Sequence, residues 1–200
     1  KAFTAVEIFF FHRLYRRSVE DILVELKAAG LGSMPGGGAE IFAKETRDRV
    51  IRGKANAEQW LDVMRTAHRL GIPSNCTMLY GHVESVEDRV DHLLRLRALQ
   101  DETGGFQTFI PLAFHPENTE LSSIRKADGV FDLRMVALSR LMLDNFDHIK
   151  AYWIMLGMPL AAVALHFGAN DVQGTVVREE IFHAAGATTV QMFLPVQRPH

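Results

Sequence analysis

The sequence predicts an α/β chain folded as a partial (β/α) barrel of the TIM type, with about five to six parallel strands inside a layer of helices. Three observations carry that expectation. Short apolar runs alternate with capped, amphipathic segments in units of roughly 30 residues, the pattern of parallel strands joined by right-handed crossovers. The strand-to-helix turns carry glycine, histidine, asparagine and carboxylates, whereas the helix-to-strand turns, Gly71-Ile72-Pro73 and Gly104-Gly105, carry little chemistry. The chain has 200 residues, short of the ~250 typical of eight complete units. An open doubly wound sheet is the alternative, and the lack of a Gly-x-Gly-x-x-Gly turn weighs against it.

Taken in order, Lys1 to Ile8 reads as the end of a clipped strand and a turn. Phe9-Phe10-Phe11 is then either core or a surface that something else covers. Ser18-x-x-Asp21 has the form of a helix cap, with Val19, Ile22, Leu23 and Leu26 on one face and a stop at Gly30. The stretch Pro35-Gly36-Gly37-Gly38-Ala39-Glu40 reads as a turn whose glycines let backbone approach a ligand and whose Glu40 supplies a carboxylate. Asn56-x-x-Gln59 opens a helix through Leu70. Cys76 to Tyr80 is a strand ending at Gly81-His82-Val83-Glu84, and Ser85 caps the helix that follows. Phe106 to Phe114 is a strand closing at His115-Pro116-Glu117-Asn118-Thr119. Asp132 is expected to cap a helix through Leu143, His148 to Leu156 to form a strand, and Pro159 to begin a helix. Asn170-Asp171-Val172-Gln173-Gly174-Thr175 is the last candidate turn, and Glu179 to Ala185 is expected to be helical. One domain is expected over residues 1–190, with an irregular tail over 191–200.

Composition excludes several classes. A formal net charge of −2 provides no basic field for nucleic acid. No apolar run has the length of a membrane span, and no secretory signal is read. Cys76 is the single cysteine, so no internal disulfide forms, and one thiol holds neither an iron–sulfur cluster nor a structural zinc. A lone thiol fits a reducing cytoplasm. No local His-x-His or His-x-x-x-His pair points to a metal, and no Gly-x-Ser-x-Gly elbow to a hydrolase. His68 and His92 fall inside helices and are expected at a surface or interface. His82 and His115 sit at strand ends, where a ligand contact and a hydrogen-bonded turn histidine are equally good readings.

These motifs carry a resemblance. Gly30-Leu31-Gly32-Ser33-Met34-Pro35-Gly36-Gly37-Gly38-Ala39-Glu40, Met78-Leu79-Tyr80-Gly81-His82-Val83-Glu84, Leu99 to Phe106, Phe109 to Pro116 and Phe167 to Asp171 resemble radical S-adenosylmethionine enzymes of menaquinone and deazaflavin biosynthesis. The three-glycine motif and Ile149-Lys150-Ala151-Tyr152-Trp153 look most like the aminofutalosine synthase branch. The alternatives are cyclic dehypoxanthine futalosine synthase and the second subunit of deazaflavin (F0) synthase. The resemblance implies S-adenosylmethionine and a [4Fe–4S] cluster as cofactors, and addition of the 5′-deoxyadenosyl radical to 3-[(1-carboxyvinyl)oxy]benzoate. It implies cofactor contacts from Gly36, Gly37, Gly38, Glu40, Gly81, Glu84, Phe109, Ile110, Pro111 and Leu112, with Glu40 near the ribose or methionine part. His82, His115, Asn118 and Asp171 are the candidates for substrate contacts. The CxxxCxxC loop of the family is not in this chain, so no metal ligand is expected here and the chain is read as a C-terminal portion, inactive alone. Open barrel edges predict self-association. A non-catalytic binding domain is the reading from a different class.

Overall fold

The computed structural model describes residues 1–51, 53–174 and 180–186. Helix starts follow local capping chemistry. α1 (Ala5–Tyr15) begins at a capping box: Thr4 Oγ1 accepts from the Glu7 N–H, and Glu7 Oε2 accepts from the Thr4 N–H at 2.7 Å. This corrects the strand and turn expected over Lys1–Ile8. The Thr-x-x-Glu signal outweighs the β tendency of the phenylalanines, and α1 buries Ile8 while Phe10 stays exposed. α2 (Val19–Ala28) starts at Ser18 as expected and stops before Gly30, whose φ of 103° only glycine adopts freely. α3 (Lys44–Val50) has no side-chain cap, and no sequence signal marked it. α4 (Ala57–Arg69) and α5 (Val86–Thr103) open with full boxes at Asn56–Gln59 and Ser85–Asp88.

β1 (Ser74–Tyr80) and β2 (Phe106–Ala113) flank α5 and pair in parallel, Cys76 against Phe109 and Tyr80 against Ala113. α6 (Gly129–Met142) follows. Its cap is Asp128 rather than Asp132. Asp132 lies one turn inside, buried, and its Oδ1 accepts the Tyr80 hydroxyl at 2.8 Å. The expected strand His148–Leu156 is mostly not extended. Only β3 (Lys150–Ala151) pairs, and the chain turns at once into α7 (Trp153–Leu156) and α8 (Met158–Ala164). β4 (Asp171–Val172) lies parallel to β3. α9 (Ile181–Ala184) ends the described chain. Thr175, Glu179 and the tail 191–200 lie outside the described residues.

The strands form two parallel pairs that isolated bridges extend: Met34 bridges Ser74 of β1, and Phe109 of β2 bridges Ile149 just before β3. Spatial order therefore repeats chain order, Met34, β1, β2, β3, β4. A doubly wound sheet needs a reversal of strand order, and the described strands show none. Among the described residues the regular strands are four, two of them short, against the five to six expected.

The core lies between the strands and the helices. Phe106 stacks on Phe146 and Trp60 and meets the edge of His68, while Phe42 stacks on His92. His68 and His92 are thus core residues, which corrects their expected surface placement. His68 is held by Ser74 Oγ at 2.8 Å and Thr103 Oγ1 at 2.7 Å, and burial pulls its pKa down to about 4. His92 is fully buried, with Nε2 3.0 Å from the Thr77 carbonyl. A hydrogen-bonded imidazole packs in such a place as a flat, near-apolar ring. Sequence position on a helix did not distinguish that from a solvated one.

Candidate functional site

The glycine stretch is not a turn beyond the end of a strand. It runs alongside β1 as an irregular strand: the Asn75 N–H donates to the Met34 carbonyl at 3.1 Å, and the Leu79 N–H to the Glu40 carbonyl at 2.8 Å. A Cβ on Gly36 would lie 2.6 Å from Cys76 Cα, and one on Gly38 would lie 2.3 Å from Val6 Cγ2. A Cβ on Gly37 would meet the Thr4 methyl at 3.3 Å. These glycines therefore let the chain approach itself closely.

Arg47 of α3 holds this stretch in place. It is buried, and its guanidinium donates to four carbonyls: Ala39, Ile41 at 3.0 Å, Gly38 at 2.8 Å and Ala55 at 2.6 Å. No sequence signal singled it out, because it sits in a charged segment that reads as a solvated face. Glu40 follows, with φ of 41°, and brings its partly buried carboxylate to 3.8 Å from Lys54 Nζ. Its backbone reaches the level of Leu79, beside the carboxyl end of β1.

The turn after β1 closes on itself. Glu84 is buried and accepts from the Gly81 N–H at 2.7 Å, the His82 N–H at 2.8 Å and Arg89 Nη1 at 3.0 Å. A carboxylate in a nest of backbone N–H groups fixes the turn. Its oxygens are thereby spent on the protein. The His82 ring is turned inward as well, with Nε2 3.0 Å from the Leu79 carbonyl and Nδ1 3.2 Å from Glu84. Burial pulls the His82 pKa down, and Glu84 opposes this. Outside the turn lies a cleft of about 320 Å³ lined by Gly81, His82, Arg89, Lys126 and Phe131 among others.

The turn after β2 holds His115 and Asn118. His115 is buried, with Nδ1 3.2 Å from Lys126 Nζ. Burial and Lys126 both lower its pKa. Asn118 points elsewhere: its side-chain amide donates to the Ala184 carbonyl at 3.1 Å and its N–H to Ala185, so it ties the loop to α9.

Strand alternation sorts the remaining candidates. Cys76, Met78, Phe109 and Pro111 face the helices, Phe109 packing on Phe146. A ligand on the opposite, inner face meets only the backbone of Phe109 and Pro111. Thr77, Leu79, Ile110 and Leu112 face inward. From the Phe109–Ile149 bridge, Lys150 falls level with Ile110, and Asp171 pairs with Lys150. Asp171 therefore lies deeper than the rim it was expected to share with Gly81 and His115. Its Oδ2 is 2.9 Å from Lys150 Nζ, an ion pair on the inner face that sequence reasoning missed. The signal was present: Lys150 is a lone charge between Ile149 and Ala151, both fully buried. Asn75, on the same face, has a buried Oδ1 without a hydrogen-bond partner.

Among the described residues no three His, Cys, Asp or Glu side chains group as a metal site, and no helix is long and apolar enough to cross a membrane.

Residues 103–197 match the family described as the CofH/MqnC C-terminal region. The chain is 53% identical over 195 residues to aminodeoxyfutalosine synthase of Thermus thermophilus, covering 96% of this chain and 52% of that protein. It is 45% identical over 195 residues to the enzyme of the same name from Streptomyces coelicolor, covering 92% and 50%. It is also 42% identical over 198 residues to the 5-amino-6-(D-ribitylamino)uracil–L-tyrosine 4-hydroxyphenyl transferase of Methanopyrus kandleri, covering 96% and 54%. The chain thus spans about half the length of the curated relatives it matches. The crystal structure of methylornithine synthase (PylB) superposes with a TM-score of 0.63 at 18% identity, over 76% of this chain and 43% of that one, a likeness of fold.

Proposed function

We propose, from the premise that this chain carries a CofH/MqnC C-terminal region, that it is the C-terminal half of a radical S-adenosylmethionine enzyme acting as an aminofutalosine synthase in menaquinone biosynthesis. The single observation that carries this is the similarity, over nearly the whole chain, to two aminodeoxyfutalosine synthases. The similarity to tyrosine 4-hydroxyphenyl transferases supports a second reading, in which a deazaflavin precursor is made from L-tyrosine. The sequential parallel strands support the partial barrel, its first strands supplied by a preceding half. A cytoplasmic setting goes with the lone thiol.

The residues present do not fit the [4Fe–4S] cluster. It needs a set of thiolates, and Cys76, the one cysteine, is buried toward the helices with its thiol pKa pushed up. We assign the cluster to the preceding half. The inner face does suit S-adenosylmethionine: Leu79, Ile110 and Leu112 offer apolar surface below the Gly81 backbone, and Glu40 lies beside the same rim, in reach of a ribose hydroxyl or ammonium group. When bound, the cofactor supplies the 5′-deoxyadenosyl group that joins the enol ether 3-[(1-carboxyvinyl)oxy]benzoate. The chain's own residues position the two molecules and exclude water.

The test is anoxic reconstitution of the longer protein with iron and sulfide. Incubation with S-adenosylmethionine, a strong reductant and the enol ether should yield aminofutalosine by mass spectrometry. The 200-residue chain treated in parallel should show no cluster absorbance and no product. Product from L-tyrosine instead would favour the second reading, and a stoichiometric cluster on the short chain would overturn the assignment of halves.

A wall of parallel strands also has two edges with unpaired backbone groups. The short chain is therefore expected to self-associate, seen as rising mass by light scattering across a dilution series. A monomer at every concentration would contradict this.

A further inference from the structure

The Lys150–Asp171 pair joins β3 to β4 and is only partly enclosed, Asp171 being 34% exposed. Ion pairs buried for stability alone are commonly no better than apolar replacements. Here the two residues are in-register neighbours on adjacent strands, and both point away from the helices that form the core. Lys150 is largely but not wholly enclosed, its side chain 16% exposed. An ammonium has three donors, and Asp171 occupies one. Lys150 thus presents an ammonium on the inner face, level with apolar Ile110.

We propose that Lys150, oriented by Asp171, is a carboxylate-binding residue on the inner face that holds the acid group of a small organic substrate. The inference rests on the functional reading above only for which acid is bound. The enol ether carries two carboxylates and L-tyrosine one, so either reading supplies an acid group for Lys150 to hold. Asn75 Oδ1 adds a buried acceptor for an N–H or O–H of the same guest. Asp171 acts through Lys150 as a positioning residue.

The experiment is calorimetry on the reconstituted longer protein, with 3-[(1-carboxyvinyl)oxy]benzoate, its dimethyl ester, L-tyrosine and L-tyrosine methyl ester as probes. One of the free acids should bind the unaltered protein, and its ester about tenfold or more weakly. Lys150→Met should weaken the acid by a similar factor with S-adenosylmethionine affinity unchanged. Lys150→Arg should stay within about threefold of the unaltered protein, and Asp171→Asn should lie between. Should Lys150→Met fail to fold, the ester comparison and Lys150→Arg decide. The inference is overturned if neither acid binds, if acid and ester bind alike, or if Lys150→Met binds the acid normally. Aminofutalosine formed by a Lys150→Met enzyme with unchanged KM would remove this inference and leave the function standing. An effect of Lys150→Met seen with L-tyrosine alone would remove the aminofutalosine reading and leave the inference standing.

Discussion

Replacing Arg47 by Met is expected to destabilise this chain by ~3–5 kcal/mol, the scale on which buried polar groups lose charged partners. The guanidinium satisfies the carbonyls of Gly38, Ala39, Ile41 and Ala55 at once. Methionine fills much of the volume and donates nothing, so carbonyls closed off from water lose their donors together. Lysine should rescue only partly, because a single ammonium cannot span four acceptors in the plane of the fork. Urea unfolding followed by circular dichroism measures this as a lower midpoint. An unchanged midpoint would show that the loop finds other donors. The same substitution should loosen Glu40, whose backbone conformation at φ of 41° depends on its surroundings to hold it.

The second large effect is steric. Gly36→Ala is expected to cost about 3 kcal/mol, because the added methyl meets the Cys76 backbone at 2.6–2.8 Å and no rotamer change relieves it. Gly32→Ala is the matched control. A Cβ there has nothing within 4 Å, so that variant should be neutral or slightly more stable. Thermal melts of the two variants should separate widely, and equal melting temperatures would mean the strand beside β1 can move outward at little cost.

Both residues mark the boundary of what the sequence makes legible. Three helix starts were readable because Ser18, Asn56 and Ser85 spell their caps locally. Thr4 and Glu7 spell one equally well, but the phenylalanines after them suggested extended chain, and periodicity over so short a run does not arbitrate. Asp132 reads as a cap because carboxylates favour helix N-termini. Its actual role depends on Tyr80, far away in the chain. The site divides the same way. Turns at strand ends were visible from composition, and the Gly81–Glu84 turn is where it was expected. The facing of Phe109, the self-directed glycines, the four-carbonyl Arg47 and the Lys150–Asp171 pair all arise from register between strands. Register is set by contacts between segments tens of residues apart, which no local pattern contains.

The collinear order of the strands has a consequence for biosynthesis. Each strand from β1 onward pairs with a segment already made, so a chain leaving the ribosome adds every new unit to an edge that is already waiting. Met34 and the glycine stretch can dock only once β1 has emerged, and from there growth proceeds one crossover at a time. Among the described residues no later segment inserts between earlier ones. Assembly can therefore be vectorial, each pairing closing one crossover rather than reaching across the whole chain. A pause in translation after β2 would leave one growing edge bare, and that edge is where nascent chains of neighbouring ribosomes would meet.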